Sequence, residues 1–121
     1  MLDLSPGDPV HVVEGLSLAD GQPLALFRSV LPGWLAGFCD QARDHQSITA
    51  ALAACGVADY TRASTRITAK LANATQAVAL RIPQGAPVLR SVAVNLDDRG
   101  RPVEYGRTWF AGDRVSLVLS D

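Results

Sequence analysis

The stretch PVLRSVAVNLDDRGRPVEYGRTWFA, residues 87–111, decides the fold. Val88, Val92, Val94 and Leu96 lie an even number of residues apart, which fits the two-residue period of a β-strand. A turn-forming cluster follows at 97–100, and β-branched and aromatic residues return over 103–110. The pattern predicts an antiparallel hairpin, and a third alternating run at 114–119 extends the prediction to a three-stranded meander.

The middle strand of this meander carries one carboxylate on an otherwise uncharged face. Side chains alternate along a strand, so Glu104, Gly106, Thr108 and Phe110 share that face. A buried carboxylate needs a hydrogen-bonding partner, and a hydroxyl or an amine of a ligand would serve. The pattern therefore favours a binding pocket on this face, with an exposed strand position for Glu104 as the alternative.

The rest of the chain alternates between strands and helices. Asp20-Gly21 is a hairpin signal between strands over 9–19 and 23–30, and a long strand is predicted over 60–71. Within that long strand, the alternation places Ala63, Thr65, Ile67 and Ala69 inward and Arg62, Ser64, Arg66 and Lys70 outward. Helices are predicted near 33–43, 47–55 and 73–81, the last two with N-caps at Ser47 and Asn73. The result is an α+β fold in which helices pack on a six-stranded, mainly antiparallel sheet.

Length and composition fit one small domain over residues 1–121. A chain of 121 residues that is 48% hydrophobic buries a single core. The net charge of −1 and the pI near 6.0 give no basic surface for nucleic acid. The N-terminus lacks a secretory signal, and no apolar run approaches the roughly 20 residues of a membrane helix, so a cytoplasmic protein without membrane contact is expected.

The residue types of catalysis and metal binding are sparse. Cys39 and Cys55 form no CxxC pair, and they are interpreted as reduced, packed thiols. His11 and His45 lie beside no nucleophile motif, so packed or surface roles are favoured. Asp97-Asp98 is interpreted as turn chemistry rather than a metal site. No cofactor, no metal and no catalytic residue is expected.

Several motifs together carry a family resemblance. GAPVLR (85–90), RPVEYGR (101–107) and FAGDRVSL (110–117), preceded by LADGQPLAL (18–26) and Leu31-Pro32, resemble the UTRA domain, the effector-sensing half of HutC/FarR-type GntR transcription regulators. The resemblance covers nearly the whole chain and implies a chorismate lyase-like fold. It also implies a homodimer, because such regulators read two half-sites with two-fold symmetry. DNA binding is then expected only through an N-terminal winged helix-turn-helix domain that this chain does not contain.

The resemblance also implies positions for a ligand site. In sugar-phosphate-sensing members, the pocket holds two arginines on the first strand, an acid on the second, a Ser and a Tyr at a helix start, the Glu of PVEY and a later Tyr. The corresponding positions here are Gly15 and Ser17, Phe27, Ser47 and Thr49, Glu104, and Phe110. The arginine clamp is absent, and Gly and Ser do not replace a bidentate arginine–phosphate contact. The site therefore argues against a sugar phosphate.

A different effector is suggested by the run STRITA at 64–69. It is similar to the S-x-T-R-I-S-A run of regulators of phosphonate utilisation, which makes Thr65 a candidate and suggests a phosphonate or another small polar or anionic metabolite. Arg28, which shares a strand face with Leu24 and Leu26, is the candidate cation. Ser47 at a helix start offers an anion site, with a simple N-cap as the alternative.

Three function classes stay open on the sequence. The leading one is an effector-binding and dimerisation domain that shifts the DNA binding of an attached reader domain. The second is a chorismate lyase-like enzyme with Glu104 in an acid–base role, although no second catalytic group is evident. The third is a dimerisation module without a ligand, which pairs through the apolar run at 114–119.

Overall fold

The computed structural model describes residues 4–118, and one antiparallel sheet organises them. In chain order the elements are β1 (Val10–Ala19), β2 (Gln22–Pro32), α1 (Phe38–His45), α2 (Ile48–Ala54), β3 (Tyr60–Leu71), α3 (Ala74–Leu80), β4 (Pro87–Asp97) and β5 (Pro102–Ala111). The strands lie in the order β1-β2-β5-β4-β3, and every neighbouring pair is antiparallel. The predicted α+β class is confirmed.

Local sequence signals set the ends of the elements. Asp20 and Gly21 both have positive φ, 52° and 76°, which is the backbone of a tight hairpin turn between β1 and β2. The side chain of Asn73 accepts from the Gln76 backbone N–H, and the Gln76 side chain accepts in return from the Asn73 N–H, so a capping box starts α3. Helix α1 starts later than predicted because residues 33–37 form turns rather than a first helical turn.

The two faces of the sheet carry different layers. On the face that bears Phe27 and Leu31, here called the pocket face, α1 and α2 form the main core. This core contains Leu31, Leu35, Phe38, Ala51, Leu52, Val57 and Val103. The opposite face bears Leu26, and α3 packs against it through a smaller cluster of Ala72, Ala77, Leu80 and Val88. Leu26 and Leu31 are five residues apart on one strand, so the alternation of β2 places them on opposite faces.

The sixth strand predicted over 114–119 does not form in the described part of the chain. Residues 115–118 have no regular secondary structure, and Leu119 lies outside the described residues. The reason is the strand order: β5 already lies between β2 and β4, so no edge is left beside it for a following strand. Arg114 instead donates from its guanidinium to the carbonyl oxygens of Pro23, Leu80 and Arg81, at 2.9, 2.7 and 2.9 Å.

The inward face predicted for β3 is wrong. The register shifts between Arg62, which pairs with Asn95, and Ser64, which pairs with Val94, so Ala63 is an extra residue at a β-bulge. The bulge places Arg62 on the pocket face, where the simple alternation had put it outward. β3 is also an edge strand, and the residues predicted to be inward are all exposed: Ala63, Thr65, Ile67 and Ala69.

Candidate functional site

Two open cavities lie on the pocket face. The first, here the β1 cavity, has a volume of about 590 Å³ and is lined on β1 and α1 by Val13, Glu14, Gly15, Cys39 and Arg43. The second, here the central cavity, has a volume of about 430 Å³ and lies over the middle of the sheet. Its lining includes Ser29, Thr49, Tyr60, Arg62, Ser91, Asn95, Glu104, Gly106, Thr108 and Phe110. Phe27, Ser47 and Ile48 border both cavities, so they form the partition between them.

A row of polar side chains crosses four strands at the floor of the central cavity. Ser29 Oγ donates to Glu104 Oε2 at 2.7 Å, and Asn95 Nδ2 donates to Glu104 Oε1 at 3.0 Å. Arg62 Nε in turn donates to Asn95 Oδ1 at 2.9 Å. The strand register produces the row, because Asn95 pairs with Glu104 and Arg62 pairs with Asn95. The row holds the carboxylate of Glu104 in a fixed place in the sheet.

The carboxylate of Glu104 is buried but not saturated. Glu104 is 9% exposed, and Ser29 and Asn95 are each 4% exposed. An ionised carboxylate has about four acceptor positions, and the two side-chain donors occupy two of them. Gly106 has no side chain over this group: a Cβ there would lie 3.5 Å from Ser29 Oγ and 3.6 Å from Glu104 Oε2. The missing side chain leaves room for a ligand donor beside the carboxylate.

The start of α2 contributes hydroxyl groups that are already hydrogen-bonded. Ser47 Oγ accepts from the Ala50 backbone N–H at 3.1 Å, so Ser47 is the N-cap of a helix of only seven residues. Thr49 Oγ1 lies 2.7 Å from Tyr60 Oη. Ser47 still has its hydroxyl proton to donate toward the cavities. Its acceptor role is taken by the cap, which was the alternative that the sequence left open.

Phe27 and Gly15 form a complementary pair on neighbouring strands. They are cross-strand partners, and a Cβ on Gly15 would lie only 2.4 Å from Cζ and 2.6 Å from Cε1 of the Phe27 ring. The ring therefore fills the space that a side chain at position 15 would need. In the resemblance, these two positions carry an arginine and an acid, and here they form an apolar wall.

Arg28 does not belong to this site, contrary to the sequence-based expectation. It alternates with Phe27 along β2 and therefore points to the opposite face of the sheet. There its cross-strand neighbours are Glu14 and Arg107. Its Nε lies 3.7 Å from Glu14 Oε1, and both side chains are largely exposed. The candidate cation predicted from sequence is therefore on the wrong side of the sheet.

Two further candidates lie outside the linings of both cavities, and three residues of the polar row, Ser29, Asn95 and Arg62, were not predicted as site residues. Ser17 is exposed at the register shift of β1, and Thr65 is exposed on β3. Thr65 nevertheless touches the site, because its Oγ1 accepts from Arg62 Nη1 at 3.1 Å. Arg62 itself was predicted to face solvent, since no feature of the sequence marks the bulge at Ala63.

His11 is a packed side chain next to Cys39. Its Nε2 lies 2.9 Å from the carbonyl oxygen of Leu35, and its Nδ1 lies 3.4 Å from Cys39 Sγ. A carbonyl only accepts, so Nε2 carries the proton and Nδ1 accepts from the thiol. Among residues 4–118, no group of three or more His, Cys, Asp or Glu side chains could hold a metal ion. Within the same range, no helix is long and apolar enough to cross a membrane.

The fold and the cavities define a class of protein. A sheet with a polar-floored cavity under two short helices has the layout of a small-molecule-binding domain. The chain belongs to the UTRA domain family, which matches residues 1–116, so the family resemblance predicted from sequence is confirmed. It is 41% identical over 119 residues to an uncharacterised HTH-type transcriptional regulator of Rhizobium meliloti (strain 1021). The match covers 98% of this chain and 49% of that protein, so the chain spans about half the length of this relative.

Solved structures agree with the assignment. A GntR-family transcriptional regulator from Enterococcus faecalis V583 superposes with a TM-score of 0.83 at 28% identity, over 99% of this chain and 86% of that one. The effector domain of PhnF from Mycobacterium smegmatis gives 0.85 at 24% identity, over 98% and 75%. The C-terminal domain of the histidine utilization repressor from Pseudomonas syringae pv. tomato gives 0.86 at 24%, over 99% and 84%. The last two show the fold alone.

Proposed function

We propose that this domain binds a small polar or anionic effector in the central cavity, and that effector binding changes the DNA affinity of a DNA-binding domain of the same regulator. The observation that carries the proposal is the buried Glu104 carboxylate, which is held by two neutral donors and opens onto the cavity. A group of this kind is a specific receptor for a ligand donor. Membership of the UTRA family and the HTH-type relative support the regulatory role.

The side chains around the cavity then have distinct roles. Glu104 accepts a hydroxyl or an amine of the effector, and the hydroxyl groups of Ser47 and Thr49 contact its polar groups. Phe27 and Phe110 supply apolar walls, and Gly15 makes room for the ring of Phe27. The effector binds one of two arrangements of the regulator more tightly than the other. The difference between these two binding free energies sets how far the effector shifts DNA binding.

A phosphonate or a related small anion is the finer proposal for the effector. The run at 64–69 supports it. Residues 1–121 would act as one ligand-binding unit of a homodimer, which light scattering tests. DNA would be bound through a helix-turn-helix domain outside this chain, as in the HTH-type relative of about twice the length.

The test is a ligand screen followed by one carboxylate substitution. Thermal shift over phosphonates, amino-acid catabolites and sugar phosphates identifies a binder, and calorimetry gives its Kd. Glu104→Gln should then weaken binding by about 10- to 150-fold, because a hydrogen bond to a charged group is worth about 1.5–3 kcal/mol. The control is Asp98→Asn, which removes an exposed carboxylate in the β4–β5 turn and should leave Kd unchanged. Equal affinity of Glu104→Gln and the parent protein would show that Glu104 is only a structural strand residue.

A further inference from the structure

Arg62 brings a positive charge to the rim of the central cavity. The bulge at Ala63 turns it onto the pocket face, where it lines the cavity together with Asn95 and Glu104. Arg66, four residues along the same strand, pairs with Val92 rather than with a residue of the cavity. The strand therefore presents two arginines to opposite faces of the sheet.

The guanidinium of Arg62 has unused binding capacity. It carries five N–H donors, of which Nε uses one on Asn95 and Nη1 uses one on Thr65. The ion pairs found among residues 4–118 involve Arg28, Arg43 and Arg101, so Arg62 has no carboxylate partner within that range. Three donors and an unneutralised charge thus remain at the edge of the cavity.

The negative charge of Glu104 lies one side chain away. Asn95 stands between the two groups: its Oδ1 accepts from Arg62, and its Nδ2 donates to Glu104. The amide separates the two charged groups, and both groups line the central cavity. A ligand with only an anionic group would be repelled by the nearby carboxylate, and a ligand with only a cationic group would be repelled by the nearby guanidinium. A ligand with both, joined by a short carbon chain, would place each charge beside its opposite.

We propose that Arg62 binds the anionic group of the effector, and that the effector is a small amphoteric acid whose ammonium group donates to Glu104. This inference rests on the proposed function, and it adds the residue and the ligand class that the sequence did not reveal. Both 2-aminoethylphosphonate and 3-aminopropanoate have this chemistry. They differ only in whether the anion is a phosphonate or a carboxylate.

The test compares matched arginines with matched ligands. Calorimetry on the parent protein with both amphoteric probes shows which anion is preferred. Arg62→Gln should weaken the better probe by at least about tenfold, the loss expected for a charged hydrogen bond. Arg66→Gln, which removes the same charge from the other face of the strand, should bind within about twofold of the parent protein.

A second pair of measurements separates contact from positioning. Ethylphosphonate lacks the ammonium group and ethanolamine lacks the anion. Arg62→Gln should therefore weaken ethylphosphonate and spare ethanolamine, and Glu104→Gln should do the reverse. Arg62→Lys keeps the charge but loses the Nε contact with Asn95. It should bind better than Arg62→Gln. Equal losses in the two Arg62 variants would mean that Arg62 only positions Asn95, and they would overturn the proposal.

The remaining outcomes distinguish this inference from the proposed function. If an amphoteric probe binds the parent protein and Arg62→Gln binds it equally well, the role of Arg62 is overturned, and the central cavity remains an effector site. If neither amphoteric probe binds the parent protein while another compound of the screen binds in a Glu104-dependent way, the amphoteric class is overturned alone. Binding that is independent of both residues overturns both proposals. Unfolding midpoints of all variants establish that each one is folded.

Discussion

A methyl group at position 15 should force the Phe27 ring out of its place. In Gly15→Ala the new Cβ would lie 2.4 Å from Phe27 Cζ and 2.6 Å from Cε1. Carbon atoms in contact normally lie about 3.5–4.0 Å apart, so the ring must retreat by roughly 1 Å or more. It borders a cavity on each side, which gives it room to turn, and the variant should therefore fold.

The magnitude follows from two opposing effects. Overpacking of a well-filled contact costs about 1–3 kcal/mol, while replacing glycine by alanine within a strand returns about 0.5–1 kcal/mol of backbone entropy. Gly106→Ala is the matched control: it lies on the same sheet face, and its Cβ would meet only ordinary contacts at 3.5 and 3.6 Å. Both variants gain the same backbone term. We therefore expect Gly15→Ala to be less stable than Gly106→Ala by about 1–3 kcal/mol.

Urea unfolding followed by circular dichroism measures these differences. The Phe27→Ala variant and the Gly15→Ala/Phe27→Ala double variant complete a double-mutant cycle. If the ring is the obstacle, Gly15→Ala should cost nothing in the Phe27→Ala background. A coupling energy of about 1 kcal/mol or more between the two positions is then expected. Additive effects, or a Gly15→Ala variant as stable as Gly106→Ala, would refute the account of Phe27 as a wall seated on Gly15.

The parts of the fold that local signals encode were predictable. The turn at Asp20-Gly21 and the turn at 97–100 both carry residues with strong turn preferences, and the strands on either side of each turn pair as expected. The sixth strand failed because it depends on the strand order of the sheet. β5 is inserted between β2 and β4, and β2 comes from the other end of the chain. The alternation within 114–119 carries no information that both edges of β5 are already paired.

The sequence predicted a site residue only where that residue stands out within its own strand. Glu104 stands out as a carboxylate on an uncharged strand face, and the family motif points to it as well. Asn95 lies between the apolar residues Val94 and Leu96, and a polar side chain in such a strand is a weak signal that a polar partner lies nearby. Ser29 reaches Glu104 across 75 residues of sequence, so only the pairing of β2 with β5 brings them together. Arg62 was missed because one extra residue in a strand reverses the face of everything before it.

Two further predictions use the titratable side chains of the domain. Burial raises the pKa of the Cys55 thiol, which lowers its thiolate fraction near neutral pH, whereas the Cys39 side chain lines the open β1 cavity and is accessible to a small reagent. Iodoacetamide near pH 7 should therefore alkylate Cys39 before Cys55, and peptide mass spectrometry that finds equal rates in the folded protein would contradict this. The second prediction concerns Asp97 in the β4–β5 turn. Loss of water around its carboxylate acts to raise the pKa, but hydrogen bonds from the Arg101 N–H, the Arg101 guanidinium and the Arg99 N–H outweigh this, so the pKa is lowered. A carboxyl whose pKa is lower in the folded than in the unfolded state adds stability above its unfolded pKa, about 3.9, and loses it as the pH falls through the folded pKa. Asp97→Asn should therefore lower the thermal unfolding midpoint near neutral pH. The difference in midpoint between the variant and the parent protein should become smaller below about pH 4. A gap that stays constant down to the lowest pH at which the parent protein is folded would mean that the Asp97 charge does not hold the turn.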